Sequence, residues 1–300
     1  MDTSRESLVA TGLRLKPSVQ LRGYQTDGAD FLVDNKRAAL WMMPGLGKSL
    51  TTLAALAQTG QVPILIVCPK RCMYNVWPQE LLKWTVSPSI ITLDGTPRVR
   101  LQKMGRTAQV YIINYEMIPW LLEVAPRWFC GMAAVVFDES SKLKSWKTSR
   151  FKALKKAIFH VNRVIELTGT PAPNGLLGIW SQLYLLDGGQ RLGKYISHYK
   201  QRYFEQDYFG YTFTPRDPDR IHRQVEGLVF SVQNPEYKDK ILPVEIYVET
   251  WTPEYSDMRK HGLIEVDGVE IVAASGAACQ NKPVSYTHLT LPTKCRTWWW

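Results

Sequence analysis

The chain has 300 residues, 45% of them hydrophobic, and so has enough apolar material for one large or two modest globular domains. Its formal net charge of +10 favours an anionic partner, such as nucleic acid or an acidic membrane. No run approaches the roughly 20 apolar residues of a membrane span, and the five cysteines form no CxxC pair or zinc-ligand spacing. We therefore expect a cytoplasmic protein with reduced thiols and no membrane association.

Short apolar runs alternate with segments of helical period between Arg37 and Leu167. The runs are AALWMM (38–43), VPILIVC (62–68), SIITL (89–93), QVYIIN (109–114), AAVVFD (133–138) and RVIELT (163–168). Runs of this kind are typical of strands buried on both faces of a parallel sheet. The helical segments include LTTLAALAQTG (50–60), NVWPQELLKW (75–84) and SRFKALKKAIFH (149–160). The alternation predicts an α/β fold, a doubly wound parallel sheet with helices on both faces.

The pattern changes after residue 187. Segment 188–240 is aromatic and basic and then rich in turn residues, which predicts a helical protrusion followed by a linker. A strand-like run at 241–251 and a helix-like run at 252–263 follow, and 241–283 is interpreted as the start of a domain that the chain does not complete. Residues 284–293 resemble the conceptual translation of a transposase-type sequencing adapter, so we expect 284–300 to be an artefact. An ordinary disordered terminus is the alternative.

A glycine-containing loop follows the first predicted strand. In MMPGLGKSL, Gly45, Gly47, Lys48 and Ser49 match the back half of GxxxxGK[ST], and Met42 stands where the first glycine belongs. Backbone N–H groups at a helix N-terminus bind phosphate, and glycines let the chain come close to it. The motif predicts Lys48 at the β- and γ-phosphates and the Ser49 hydroxyl as a Mg²⁺ ligand. A glycine turn that caps a helix is the alternative.

Two adjacent carboxylates, Asp138 and Glu139, follow the apolar run AAVVF. The carboxyl ends of strands are where open α/β sheets place ligand chemistry. One carboxylate can hold the Mg²⁺ shell while its neighbour polarises an attacking water, as phosphoryl transfer to water requires. A helix N-cap, in which a carboxylate accepts bonds from free N–H groups, is the alternative. The preceding glycine loop favours phosphoryl transfer.

Six segments together resemble, in order and spacing, the first-lobe motifs of superfamily-two helicases, and most of all the Swi/Snf-like double-stranded DNA translocases of phages and bacteria. The segments are LRGYQTDGADFL (21–32), PGLGKSLTT (44–52), IVCPKRCMYNVWPQELLKW (66–84), INYEM (113–117), VVFDESSKLKSWKTSRFKALKK (135–156) and ELTGTPAPNGLLGIWSQLYLLDGG (166–189). The resemblance covers about 21–251. It implies a RecA-like P-loop NTPase fold, ATP and Mg²⁺ as cofactors, and nucleic acid, double-stranded DNA above all, as partner.

The resemblance also implies a domain order. Residues 1–20 would be an N-terminal extension, 21–187 the ATP-binding first lobe, 188–240 the protrusion and linker, and 241–283 the start of a truncated second lobe. The expected setting is the cytoplasm of a bacterial cell or of a phage-infected host.

Roles carry over residue by residue. The expected nucleotide-binding residues are Gln25, Pro44, Gly45, Leu46, Gly47, Lys48, Ser49 and Leu50, with Gln25 bonded to adenine. The expected catalytic residues are Lys48, Asp138 and Glu139, with Asp138 as a Mg²⁺ ligand through water and Glu139 as general base. Ser141 stands where related motifs have histidine. Thr168, Gly169 and Thr170 in LTGTP would couple nucleotide state to the nucleic-acid track.

Five residues are expected at the nucleic-acid surface. Pro69, Lys70 and Asn114 match family elements that contact the DNA backbone. Lys142 and Lys144 belong to the basic run that follows Asp138-Glu139, and such clusters give salt-dependent, sequence-independent binding. A solvated helix face is the alternative for any charge run.

The sequence therefore predicts the ATP-binding lobe of a DNA-dependent ATPase that translocates on or remodels nucleic acid. Because the family's arginine finger belongs to the second lobe, and such a finger contributes about 10³ to 10⁵ in rate, we expect this fragment to hydrolyse ATP poorly. A nucleic-acid-binding module with a vestigial P-loop is the alternative. A P-loop kinase is a third interpretation, which leaves the LTGTP motif unexplained.

Overall fold

A computed structural model of the chain describes residues 12–172, 175–207 and 212–232, together with the backbone of two short strands at 263–266 and 269–272. The chain divides into two compact units, residues 1–239 and 240–300. The strand predicted at 241–251 and the adapter-like segment 284–300 lie outside the described residues. The helix predicted at 252–263 also lies outside them, except for Leu263, which begins a strand.

The first part of the chain alternates strands and helices. In chain order these are α1 (Gly23–Asp34), β1 (Arg37–Met42), α2 (Lys48–Thr59), β2 (Ile64–Cys68), α3 (Lys70–Asn75), α4 (Trp77–Trp84), β3 (Ile90–Thr92), α5 (Pro97–Met104), β4 (Val110–Asn114), α6 (Ile118–Val124), α7 (Pro126–Cys130), β5 (Ala134–Asp138), α8 (Ser149–Ala157), β6 (Arg163–Thr168) and α9 (Ile179–Asp187). All six predicted strands are present, within two residues of their predicted ends.

The remaining elements are shorter. They are α10 (Ile196–Tyr203), β7 (Phe204–Gln206), β8 (Phe213–Pro215), α11 (Pro218–Val225), β9 (Val229–Val232), β10 (Leu263–Val266) and β11 (Val269–Val272). Strands β7 and β8 pair antiparallel, as do β10 and β11 in the second unit. None of the helices in the described part of the chain has the length and hydropathy that a membrane span needs.

Seven strands form one parallel sheet in the order β3-β4-β2-β5-β6-β1-β9. Successive side chains of a strand point to opposite faces, and both faces of this sheet are covered. On β2, Leu65 and Val67 pack into one hydrophobic cluster, while Ile64 and Ile66 pack into the other. Burial on both faces explains why the strands are apolar at successive positions, and it confirms the predicted doubly wound α/β fold.

The seventh strand, β9, comes from the segment predicted as protrusion and linker. It lies parallel to β1, with Ala39 opposite Val229, and the Ala39 backbone N–H donates to the Leu228 carbonyl at 2.9 Å. The Phe230 ring packs against Phe31 of α1, with ring centroids 5.7 Å apart. The run LVFSV is too short and too close to turn residues to stand out as a strand in the sequence. The described part of segment 188–240 thus contains the helices α10 and α11 and also an edge of the main sheet.

Candidate nucleotide-binding site

The glycine loop joins β1 to α2 and has the backbone conformation of a phosphate-binding turn. Gly45 and Gly47 take φ values of 84° and 77°, in the left-handed region that favours glycine. Gly47 is also the N-cap of α2, and no side chain caps this helix end. Its first N–H groups are therefore available to an anion. Met42, at the position of the missing glycine, is 1% exposed and packs in the core, so the loop does not need a glycine there.

Lys48, the first residue of α2, turns back across the loop. Its Nζ donates to the carbonyl of Met42 at 2.9 Å and to that of Met43 at 3.3 Å. Burial lowers the pKa of Lys48, while the negative charges of Asp138 and Glu139 act in the opposite direction. The fold thus brings the three predicted catalytic residues together at the carboxyl end of the sheet.

Gln25 lies behind the loop and braces it. Its Nε2 donates to the carbonyl of Leu46 at 3.1 Å, and its Oε1 accepts from the Arg22 backbone N–H at 3.0 Å. A Cβ atom at Gly47 would overlap the Gln25 amide. Both ends of the amide are therefore bonded to protein, and Gln25 would have to exchange one of these bonds to contact adenine as predicted.

A cavity of about 530 Å³ opens beside the loop, a size that is usual for small-molecule sites. Its walls are Gln20, Arg22, Gln25, Gly45, Gly47, Lys48, Ser49, Leu50, Val76, Glu80 and Trp84. The Trp84 indole N–H donates to Glu80 Oε2 at 2.9 Å, which fixes the ring at the cavity wall. The contribution of α4 to the cavity wall was not predicted from the sequence, although the pattern WPQELLKW was a signal for it.

The predicted loop residues differ in whether their side chains are exposed or buried. Pro44 and Gly45 are exposed, and Ser49 is half-buried beside the cavity. The side chains of Leu46 and Leu50 are 5% and 7% exposed. Since these two side chains are buried, a phosphate could contact only the backbone of these residues. The Leu50 N–H lies in the first turn of α2, and the Leu46 N–H makes a long bond of 3.4 Å to the Met43 carbonyl.

Asp138 ends β5 and is held by two aromatic side chains. The Trp77 indole N–H donates to Asp138 Oδ2 at 2.9 Å, and the Tyr115 hydroxyl donates to the Asp138 carbonyl at 2.9 Å. Burial raises the pKa of the Asp138 carboxyl, and the Trp77 bond and Lys48 counteract this. Neither aromatic residue was predicted at the site from the sequence.

Glu139 has a backbone conformation that is unusual for a residue with a side chain. Its φ of 60° and ψ of 58° lie in the left-handed region, where a non-glycine residue is strained by about 1–3 kcal/mol. Its Oε1 accepts hydrogen bonds from Ser141 Oγ and, at 3.3 Å, from Thr168 Oγ1. Strain of this kind concentrates at functional sites. Ser141 here bonds directly to the carboxylate predicted as general base.

The LTGTP segment contacts both the phosphate loop and the carboxylates. Thr168 is fully buried, and its Oγ1 accepts from the Thr170 backbone N–H at 3.1 Å as well as donating to Glu139. A Cβ atom at Gly169 would lie 2.8 Å from Pro44 Cδ, so only glycine permits this close approach. The segment predicted to couple nucleotide state to nucleic acid thus contacts the phosphate loop through Gly169 and Glu139 through Thr168.

The five residues predicted at the nucleic-acid surface are not equally accessible. Lys70 and Lys142 are exposed, while Pro69 and Lys144 are half-buried. Asn114 is 7% exposed, and its Oδ1 has no hydrogen-bond partner among the described residues. Asn114 is therefore not presented for direct contact with a DNA backbone, because the position ends a strand that is buried on both faces.

The oxygen donors at the site fit Mg²⁺. In the described part of the chain no three His, Cys, Asp or Glu side chains cluster to hold a metal ion. Mg²⁺ needs no such cluster, since it keeps several waters and binds one or two carboxylates together with substrate phosphates. The Asp138 carboxylate and the Ser49 hydroxyl are donors of this type.

A parallel sheet with a glycine loop between β1 and a helix N-terminus, a lysine that folds back over that loop, and a carboxylate pair at the end of β5, one strand removed from β1, is the arrangement of a P-loop NTPase fold. The chain belongs to the SNF2-related family, because the profile described as the SNF2-related domain matches residues 24–206, more than half of its length. Its main sheet is a Swi/Snf-like first lobe of superfamily two, as the motif order implied.

Curated relatives match between 55% and 62% of the chain. A phage protein called p41, from Acyrthosiphon pisum secondary endosymbiont phage 1, is 35% identical over 200 residues, which are 62% of this chain and 43% of that protein. Helicase ssl-1 of Caenorhabditis elegans is 31% identical over 181 residues, 56% of this chain and 7% of that protein. Helicase swr1 of Schizosaccharomyces pombe is 31% identical over 180 residues, 55% and 14% respectively. The chain thus spans less than half the length of these relatives.

A solved structure has the same fold. The Sulfolobus solfataricus SWI2/SNF2 ATPase core, in complex with dsDNA, superposes with a TM-score of 0.57 and 23% sequence identity. The match covers 71% of this chain and 44% of that one. It supports the RecA-like arrangement of the main sheet.

Proposed function

We propose that this chain supplies the ATP-binding lobe of a DNA-dependent ATPase, which couples ATP hydrolysis to translocation on or remodelling of nucleic acid. The observation that carries the proposal is the contact of Glu139 with Thr168, close to Lys48. One network thereby joins the residue predicted to orient water to the motif predicted to sense DNA. A glycine turn that merely caps a helix would not need a carboxylate pair and a threonine assembled around it.

Each side chain has a role in this proposal. Lys48 exchanges its bonds to the loop carbonyls for bonds to the β- and γ-phosphates. Ser49 and Asp138 hold Mg²⁺, which when bound neutralises charge that develops on the phosphates. Glu139 orients and polarises the attacking water. Gln25, Val76 and Trp84, on the part of the cavity wall outside the phosphate loop, surround the base and sugar.

Charge supports a nucleic-acid partner. The chain carries a formal charge of +10, and Lys70 and Lys142 are exposed on segments next to the carboxyl end of the sheet. Such lysines neutralise phosphates without reading sequence. The Sulfolobus solfataricus ATPase core was solved in complex with dsDNA, which makes duplex DNA the first partner to test.

The test measures MgATP binding, duplex DNA binding and ATP hydrolysis by the purified chain. We expect MgATP to bind, DNA to bind with a strong salt dependence, and hydrolysis to be slow because the arginine finger belongs to a second lobe. Glu139→Gln should abolish the residual hydrolysis and leave MgATP binding intact. Fast DNA-stimulated hydrolysis would refute the need for a second lobe.

The same variant tests the alternative. If the chain binds DNA but binds no MgATP, and Glu139→Gln changes nothing, then the protein is a nucleic-acid-binding module with a vestigial P-loop. Ser49→Ala serves as a second probe of the P-loop, since it should weaken MgATP binding far more than binding of ATP without Mg²⁺.

A further inference from the structure

Trp77 connects helix α4 to Asp138 of the carboxylate pair. It is the first residue of α4, is fully buried, and donates its indole N–H to Asp138 Oδ2 at 2.9 Å. A buried indole N–H needs an acceptor, and a carboxylate oxygen is a stronger acceptor than a backbone carbonyl.

The main chain of Asp138 is anchored separately. The Tyr115 hydroxyl, itself buried, donates to the Asp138 carbonyl at 2.9 Å, and the next residue, Glu139, turns into the left-handed conformation. With its backbone held by Tyr115, the Asp138 carboxylate can still rotate about its own side-chain bonds. The Trp77 hydrogen bond removes this freedom, because it fixes one of the two carboxylate oxygens.

We propose that Trp77 is a positioning residue that fixes the orientation of the Asp138 carboxylate for Mg²⁺ through its indole N–H. The inference rests on the proposed function and deepens it. Removal of a residue that hydrogen-bonds to a metal ligand typically reduces metal affinity or activity by about 10- to 100-fold.

The placement of Trp77 also gives the bond a second consequence. Helix α4 follows directly after α3, which begins with the exposed Lys70, and it also carries Glu80 and Trp84 of the cavity wall. A movement of the α3–α4 segment would therefore reach the Mg²⁺ ligand through one hydrogen bond.

The first test needs no nucleotide. In the purified chain, the indole ¹⁵N–H resonance of Trp77 is assigned by its loss in Trp77→Phe. We expect Asp138→Asn to shift this resonance upfield and to speed its exchange with solvent, because a charged acceptor has been replaced by a neutral one. An unchanged resonance would overturn the proposed bond whatever the chain does with ATP.

The second test measures ATP affinity with Mg²⁺ and with EDTA. Trp77→Phe should reduce the Mg²⁺-dependent gain in ATP affinity by about tenfold and leave the affinity in EDTA unchanged. Trp128→Phe is the matched control, since the Trp128 indole N–H donates to the carbonyl of Met104 at 3.2 Å in α5, outside the candidate site. Equal Mg²⁺ dependence in both variants and the wild type would contradict the proposal.

Two further variants keep the result interpretable. If Trp77→Phe does not fold, 3-benzothienylalanine at position 77 retains the ring size and replaces only the N–H by sulfur. In an Asp138→Asn background Trp77→Phe should cause no further loss of Mg²⁺ dependence, and an equal further loss would show that Trp77 acts elsewhere. If the wild type binds no ATP while the resonance test succeeds, the proposed function fails and the positioning of Asp138 by Trp77 stands.

Discussion

Glu166 offers the sharpest stability prediction. It lies in β6 between β5 and β1, is 1% exposed, and neither of its carboxyl oxygens has a hydrogen-bond partner among the described residues. Burial raises the pKa of Glu166 well above its ordinary value. The Arg37 charge and the nearby Ser140 hydroxyl, which donates to Gln182 Oε1 rather than to Glu166, only partly oppose this. We predict that Glu166→Met stabilises the protein, because methionine is an unbranched side chain of similar size that has no polar group to desolvate.

The sign and size follow from proton linkage. Unfolded Glu166 titrates near pH 4.3, while in the folded protein it holds its proton to a higher pH. Between these two pKa values the folded state binds more protons, so stability falls as pH rises. Each unit of difference corresponds to about 1.4 kcal/mol, and an unpaired buried polar group costs about 1–3 kcal/mol. The gain from Glu166→Met should thus be about 1–3 kcal/mol at acidic pH, where the carboxyl is neutral in both states, and should become larger as pH rises above about 4.3.

Urea denaturation of wild type, Glu166→Met and Glu166→Gln across this pH range is the measurement. Glu166→Gln cannot ionise, so its free energy of unfolding should lack the pH dependence that Glu166 gives the wild type. It still buries a polar group at this position. Arg37 should remain satisfied in both variants, since it also donates to four backbone carbonyls. A Glu166→Met protein that is less stable than the wild type at pH 8, or a gain that does not change with pH, would refute the reasoning.

Three other substitutions test separate parts of the site, and a fourth, Asn114→Ala, is a control for the third. Gly47→Ala should destabilise the chain by about 1–2 kcal/mol in urea denaturation. Alanine at φ 77° is strained, and its Cβ would overlap the Gln25 amide. Unchanged stability would mean that the loop relaxes. Thr168→Val should cost about 1–3 kcal/mol in the same assay, since the Thr170 N–H loses its acceptor, and a neutral result would argue against the network. Lys142→Ala should reduce the slope of log affinity for duplex DNA against log salt by about 1, whereas Asn114→Ala, at a buried position, should leave that slope unchanged.

The sequence predicted the main sheet well because its five interior strands, β4, β2, β5, β6 and β1, are buried on both faces. Such strands carry uninterrupted apolar runs that stand out against the amphipathic helices. The edge strand β3 is also only half-buried but was predicted from its β-branched run SIITL. Strand β9, at the other edge, escaped because its run is short and lies next to turn residues. Its identity as a strand depends on pairing with β1, which lies far away in the sequence.

The sequence predicted the part of the candidate site whose residues are close together in the chain and act through local backbone conformation. Gly45, Gly47 and Lys48 could be identified because glycines and a lysine at a helix start have few other uses in that order. The contacts of Trp77 and Tyr115 with Asp138 could not be predicted, because they join residues 61 and 23 positions apart in the chain. The predicted surface role of Asn114 does not fit its burial, since a strand-end asparagine looks the same in the sequence whether it faces solvent or core.

The most direct test of the central claim is calorimetric titration of the purified chain with MgATP, with Lys48→Ala measured beside it. We predict saturable binding that depends on Mg²⁺ and that Lys48→Ala weakens by at least about tenfold, or about 1.4 kcal/mol, while the melting temperature of the variant stays close to that of the wild type. A folded chain that binds no MgATP, or a Lys48→Ala variant that binds it as tightly as the wild type, would contradict the claim that this loop is an ATP site.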